Sequence, residues 1–404
     1  MLILPIEEAT PGVTLAMGIM NPQAPDRQLL KAGYVLDEPV LRRLQDLGIP
    51  FIYVDYPDLA DLDKLLMPSL SPARQQMYLQ IKNTFAAVEK TARPTVTFPD
   101  YYAVTRELVL TLMQQGQNPV YMDLMGSQMG GSEVAHSAAV AHLSVTLGIK
   151  LEQYLINQRK RLSPQHAKEV VNLGVGGMLH DIGKARLDKR LRDYHTCNPP
   201  GDEADIEAWQ AHVQIGYDMV RNGIEPSAAA AVMHHHQTFD GSGFPSLTHA
   251  DGAFQPLSGE KIHVFARIVA AANRFDRLHV APDGRRRPNI EILHLLRAEH
   301  SAYLDPQVAR ILPSVIPPFP PGMKVKLSDG TMAVVTNFAI GDPYHPTVRR
   351  LAADNWTLEG APVDLGEVSE ITIAEIDGQP TAGFFPDADT AVRDSSGHAA
   401  AVAA

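Results

Sequence analysis

The chain has 404 residues, 45% apolar and 20% charged, proportions of a globular protein with roughly two to four domains and at least one sizeable core. Its net charge of −11 argues against a broad surface for nucleic acid or anionic membrane, so an anionic small substrate must be met by a local cation cluster or by metal ions. The single cysteine, Cys197, excludes an internal disulfide and fits a reducing cytoplasm; the N-terminus MLILPIEEAT lacks the pattern of a signal peptide, and no window approaches about 18 apolar residues, so neither secretion nor a membrane span is expected.

Residues 1–66 mix short apolar runs with turns, TPGVTLAMGI and IPFIYVD among them, around a Pro-initiated helix from Pro39 to Leu47 that stops at Gly48. A small N-terminal α+β module is expected there. Helical spacing from Ser71 to Gln115, interrupted by RPTVTFPD, predicts two helices within a linker over 67–120. Residues 121–316 read as mainly helical: Ser132–Leu147 ending at Gly148, an apolar-striped Pro164–His180, Ala204–Arg221 ending near Gly223, then Glu260–Leu278 and Asn289–Arg297. After PPFPP the texture changes. KVKLSDGTMAVVTNFA alternates apolar and polar residues around Asp329-Gly330, a hairpin signal that opens a small β module over 317–377. The tail 378–404 is of low complexity and is expected to be disordered, and no internal repeat is present. The fold class is therefore mainly α, a helical bundle flanked by the two small modules.

Fourteen of the sixteen histidines lie between residues 136 and 300, within the helical segment. His136 opens HSAAVAHLSVTLG, His180-Asp181 closes an apolar helix in GGMLHDIGK, His212 opens HVQIGYDMV, and HHHQTFDGSGFP places three histidines before a glycine-punctuated turn. Four separate elements thus offer imidazole, one with a carboxylate attached. That mixture suits iron, manganese or zinc, and a carboxylate beside an imidazole can bridge two ions held about 3.5–4 Å apart. Taken singly, any of these histidines is equally a surface or core residue with ordinary partners.

HDIGK at 180–184, the histidine doublet and DGSGFP at 240–245 resemble the HD-GYP family, a branch of the HD metallophosphohydrolases, over about residues 125–312. PGVTLAMGI…LLKAGYVL and FPPGMKVKLSDGTMAVVTN are similar to modules that flank such domains. The resemblance implies a helical-bundle HD-GYP domain with two divalent ions, iron or manganese, and a third in some members. It implies hydrolysis of cyclic di-GMP to pGpG or GMP in bacterial second-messenger signalling, by a metal-bridging hydroxide. His136, His180, Asp181, His212, His235 and His236 fall on its metal-ligand positions. The doublet starts at His235, five residues before Asp240, so His234 is the extra histidine. Asp181 would bridge the ions and, with Lys184, form the catalytic pair. Lys184 would bind the substrate phosphate, together with the loop residues Gly241, Gly243, Phe244 and Pro245 and the cations Arg267, Arg285 and Arg286.

Several positions depart from the family pattern. Gln237 stands where a glutamate usually follows the doublet, Phe244 where the tyrosine does, and Arg277 where an alanine does. Asn273 occupies the position of an aspartate ligand; its amide oxygen can coordinate but carries no charge. Glu133 and Asp276 are weaker ligand expectations, one helical turn from His136 and three residues beyond Asn273 respectively. Three readings follow: an active cytoplasmic cyclic di-GMP phosphodiesterase, a non-hydrolytic sensor of cyclic di-GMP or of a signalling protein partner, or an HD phosphohydrolase acting on another phosphoester, which DGSGFP disfavours. A homodimer is compatible with all three, and none calls for a nucleic acid polymer.

Overall fold

The computed structural model describes residues 1–21, 24–62, 70–91, 98–114, 121, 132–249, 252–368 and 370–386. Most of RPTVTFPD and the tail from 387 onward lie outside the described residues. In the N-terminal region β1 (Leu2–Pro5) pairs antiparallel with β4 (Phe51–Val54), and β2 (Ile19–Asn21) with β3 (Ala24–Leu30). Between them α1 (Glu38–Asp46) starts where the Asp37 side chain accepts from Val40 N at 2.9 Å and ends at Gly48, which turns the chain out at φ +70°.

Two helices, α2 (Leu70–Lys90) and α3 (Phe98–Met113), lead into the histidine-bearing bundle. Ser132 starts α4 (Glu133–Lys150) by accepting from Ala135 N, and most of this helix is buried against α7 (Val171–Leu179) and α11 (Val264–Arg277). Around them stand α5 (Glu152–Gln158), α6 (Pro164–Ala167), α8 (Glu203–Gln210), α9 (His212–Val220), α10 (Pro226–His234), α12 (Asn289–Ala298) and α13 (Pro306–Val315). A two-stranded pair, β5 (Leu247–Thr248) and β6 (Phe254–Gln255), follows α10. The fold is mainly α, as expected, and no single helix among the described residues is long and apolar enough to cross a membrane.

Three expected helices are revised. Gly148 does not end α4 but lies within it, facing Leu173 and Val170. Pro164–His180 divides because Arg159 donates to the carbonyls of His166, Ala167 and Glu169, and α7 then starts afresh at Val171. Ala204–Arg221 breaks at Ala211, where the carbonyl of Trp209 accepts from the ring of His212. The helix α13 was not expected, although Asp305 caps it and Pro306 fills its first turn.

A six-stranded antiparallel sheet closes the chain: β7 (Lys324–Leu327), β8 (Met332–Asn337), β9 (Thr347–Leu351), β10 (Leu358–Asp364), β11 (Ile373–Ile376) and β12 (Gln379–Pro380), in the order β10-β9-β8-β7-β11-β12. The expected hairpin turns at Gly330, φ +86°. This sheet and the N-terminal region pack on each other. Ile3 N donates to Gly322 O at 2.8 Å, the Tyr56 ring meets Trp356 edge-on at 5.3 Å, and Val334, Leu351 and Leu358 join the N-terminal apolar core.

Candidate metal centre

The ends of α7 and α10 and the starts of α4 and α9 deliver imidazoles to one carboxylate. Asp181, 1% exposed, offers Oδ2 to His180 Nε2 at 3.4 Å and His136 Nε2 at 3.6 Å. Its Oδ1 lies 3.3 Å from His212 Nε2 and 3.5 Å from His235 Nε2. Two donor groups result, His136–His180–Asp181 and Asp181–His212–His235–His236, sharing Asp181.

The tautomers are set by backbone. His180 Nδ1 meets Gly177 O at 2.8 Å, His212 Nδ1 meets Trp209 O at 2.6 Å, and His235 Nδ1 meets Val232 O at 2.8 Å. A carbonyl only accepts, so each Nδ1 carries the proton and each Nε2 presents a bare lone pair to the centre. Asp276 does the same for His136, accepting from Nδ1 at 2.6 Å, which leaves His136 Nε2 facing His180 Nε2 at 3.1 Å. Burial holds His136 and His236 well below the ordinary histidine pKa and lowers His235 to about 3. Among the described residues, the Nε2 atoms of His212, His235 and His236, with Asp181 Oδ1 and Asn273 Oδ1, are buried and without a hydrogen bond. Converging lone pairs with no proton between them are unfavourable unless a cation lies among them. Two ligands about 2.1 Å from one ion and at right angles stand about 3.0 Å apart, near the separations seen here, so these residues fit a pair of divalent ions.

Charge around Asp181 is supplied by the chain itself. Burial acts to raise its pKa, but the Lys184 ammonium and His180 outweigh that and hold the carboxyl well below its usual range. Lys184 Nζ donates to Asp181 Oδ2 at 3.0 Å and Tyr194 O at 3.2 Å and lies 3.5 Å from Glu133. Although the chain leaves α-helix at His180, the following 3₁₀ turn, Ile182–Arg186, still carries Lys184 to the centre. Among the described residues these contacts hold the ammonium beside Asp181. Glu133 is likewise engaged: Arg277 binds both its oxygens at 2.8 and 2.7 Å and reaches Asp181 Oδ2 at 3.0 Å. Asp276 orients His136 rather than facing the shared carboxylate.

The expected substrate residues are dispersed. Gly243 lies so close to the doublet that a Cβ would stand 2.3 Å from His236 O; the Phe244 ring stacks on His236 at 4.5 Å. Gln237 Nε2 donates to Pro245 O at 2.6 Å, and Asp240 closes the turn through Ser242 N at 3.0 Å. Gly241, against Ser258, belongs to the same folded loop. Gly241, Gly243, Phe244 and Pro245 thus belong to one folded loop against the histidine doublet and are not among the residues that line the cleft beside His136. Arg267 is 4% exposed and bound to Asp305, Tyr154 and Gln158. Arg285 is tied to Glu291 at 2.8 Å, leaving Arg286 as the arginine that reaches the cleft. His234 stays outside both donor groups.

That cleft, about 270 Å³, is lined by Glu133, His136, His195, Asp276, Arg277 and Arg286 among others. Sequence reasoning missed His195, whose ring burial lowers to about 4, and missed what Arg277 does; neither lies in a motif.

Residues 134–278 match the HD domain family, and that segment contains every residue of both donor groups. Among curated proteins the chain is similar to a cyclic di-GMP phosphodiesterase of Pseudomonas aeruginosa, 28% identical over 50% of this chain and 43% of the relative. It is similar to the cyclic di-GMP phosphodiesterase response regulator RpfG of Xanthomonas campestris, 30% identical over 35% of this chain and 33% of the relative. A 3'3'-cGAMP-specific phosphodiesterase of Vibrio cholerae is 27% identical over 33% of this chain and 24% of its own length. The matches thus span less than half of each relative. The resemblance carried by HDIGK, the histidine doublet and DGSGFP is borne out.

Proposed function

We propose that the chain is a metal-dependent phosphodiesterase that opens cyclic di-GMP to pGpG, or on to GMP, in bacterial cytoplasmic signalling. The observation that carries this reading is the convergence of bare Nε2 lone pairs on the two oxygens of Asp181. His136, His180 and Asp181 would hold one ion; Asp181, His212, His235 and His236 the other, with Asn273 Oδ1 beside them. When bound, two such ions, iron or manganese by their mixed imidazole–carboxylate donors, supply an acidified water and offset charge developing on phosphoryl oxygens. The chain's own part is to fix the imidazoles through Gly177, Trp209, Val232 and Asp276, and to hold Asp181 ionised through Lys184 and Arg277. The reaction adds water across one phosphodiester: oxygen bonds to phosphorus, the P–O3′ bond breaks, and O3′ takes a proton.

A second reading is favoured by Arg277 and Asn273. A guanidinium 3.0 Å from Asp181 Oδ2 competes with an ion for that oxygen, and the neutral amide weakens the other group. The chain would then bind the dinucleotide, or a protein partner, without turnover. Anaerobic purification, metal analysis and chromatography after incubation with cyclic di-GMP decide between them. Two ions per chain with pGpG or GMP formed supports the enzyme. Nucleotide binding without turnover in a chain holding both ions overturns it, and a gain of turnover in Asn273→Asp would locate the defect.

A further inference from the structure

The cleft beside His136 shares a wall with a second cavity of about 370 Å³, enclosed by β4, the loop after α11 and the end of the β-sheet. His279 and Arg286 line both. Across the second cavity stand the aromatic residues Phe51 and Tyr53 and the acidic residues Glu7 and Asp377.

Arg286 differs from its neighbours. Arg285 is paired with Glu291, and Arg287 donates to Glu291 at 3.1 Å and to Leu278 O at 2.9 Å. The Arg286 guanidinium makes no hydrogen bond or ion pair among the described residues and lies 5.7 Å from the Phe51 ring centroid. Its backbone is held in place, since Arg286 O accepts from Gln379 Nε2 at 3.1 Å. Asp377 sits at φ +47° in the turn joining β11 to β12, and surrounding protein, with Glu8 and Glu7, pushes its carboxyl pKa up. The wall thus offers aromatic residues, an uncommitted guanidinium and two acidic residues, of which Asp377 lies in the same turn region as Gln379, the partner of Arg286 O.

Bases stack on aromatic rings and guanidinium planes, and a carboxylate accepts from adjacent N–H groups on a base edge. Guanine presents such donors at N1 and N2; adenine presents an acceptor at N1, which a carboxylate repels. We propose that this cavity is a guanine subsite, holding one base of the cyclic dinucleotide whose scissile phosphate lies over the histidine centre. The proposal rests on the phosphodiesterase reading and adds to it that the N-terminal region and the β-sheet form part of the substrate site. Arg286, open to both compartments, marks where the nucleotide crosses.

The test uses the full chain as isolated, titrated calorimetrically with the hydrolysis-resistant bis-phosphorothioate analogue of cyclic di-GMP, its cyclic di-AMP counterpart, and GMP. Asp377→Asn keeps the shape and suits a left-handed φ, while Phe51→Ala removes the ring; metal content and melting temperature report that each variant is folded. Each substitution is expected to weaken the guanine analogue about tenfold, the loss of one stacking or edge contact, and Asp377→Asn is expected to leave the adenine analogue little changed. Unchanged affinity in both variants overturns the subsite, as does loss of GMP binding with the cyclic analogue unaffected, which would make the cavity a separate effector site. Unchanged variants in a chain that still cleaves cyclic di-GMP sink the subsite alone; a wild-type chain that neither binds nor cleaves it sinks both readings.

Discussion

Between Glu133 and Asp181 the guanidinium of Arg277 donates to both carboxylates, at 2.7 and 3.0 Å, and its side chain is 11% exposed. Burial opposes its charge, but Glu133 and Asp181 outweigh burial and raise its pKa above the ordinary value. A charge-assisted hydrogen bond of this kind contributes about 1.5–3 kcal/mol, and an ion seeking Asp181 Oδ2 must displace or share it. Arg277→Ala is therefore expected to raise divalent-ion affinity at least about tenfold in chelator competition. Unchanged affinity would show that Arg277 does not compete for the shared carboxylate. The clustered imidazoles and carboxylate were legible at this scale because His-Asp and the histidine doublet are contiguous in the chain. Arg277 was legible only as a departure, because its partners stand 144 and 96 positions away.

The 3₁₀ turn Ile182–Arg186 joins the His-Asp pair to Lys184 and packs against the start of α9. Gly183 makes this possible: a Cβ there would stand 1.9 Å from His212 O and 2.7 Å from Gly216 N, both backbone atoms. Gly183→Ala must push α9 away and His212 with it. The expected cost is about 1–3 kcal/mol in chemical denaturation, accompanied by loss of metal from the isolated chain. A variant with wild-type metal content would show that α9 is not positioned through this contact. Periodicity located the helices but ran two of them through breaks. The carbonyls freed at those breaks, of His166 and Trp209, are taken by side chains of Arg159 and His212, a competition that hydrophobic spacing does not register. α13 had an Asp-Pro start that capping logic reads, yet it lies close to the proline-rich segment that was taken as the domain edge.

Across the whole molecule several buried histidines are neutral in the native state. His235 is lowered to about 3, and His136, His236 and His142 lie well below the ordinary value, chiefly through burial. His142 lies outside both donor groups, and among the described residues neither of its ring nitrogens is hydrogen-bonded. Unfolded histidines titrate near pH 6.5, so below that the unfolded chain binds protons that the native chain does not. Stability is therefore expected to fall as pH drops from about 6.5 toward 3, by up to about 1.4 kcal/mol per pH unit for each such histidine. Denaturant unfolding of the metal-stripped chain at pH 7 and pH 5 checks this: the midpoint should be lower at pH 5, and a flat profile would mean that these rings are not neutral in the native state.

The sequence by itself determined the mainly α class, the resemblance to the HD-GYP family, the imidazoles and carboxylate that cluster, and the hairpin at Asp329-Gly330. These depend on local periodicity, turn residues and short contiguous motifs. Only the tertiary structure decided that Lys184 and Arg277 converge on Asp181, that Asp276 orients His136, and that DGSGFP braces the doublet. It also decided that the N-terminal region and the β-sheet share a core, which places Phe51 and Asp377 around Arg286. Each of those relations is a distance between residues far apart in the chain, fixed by how the helices and sheet pack, and spacing along a sequence carries no record of it.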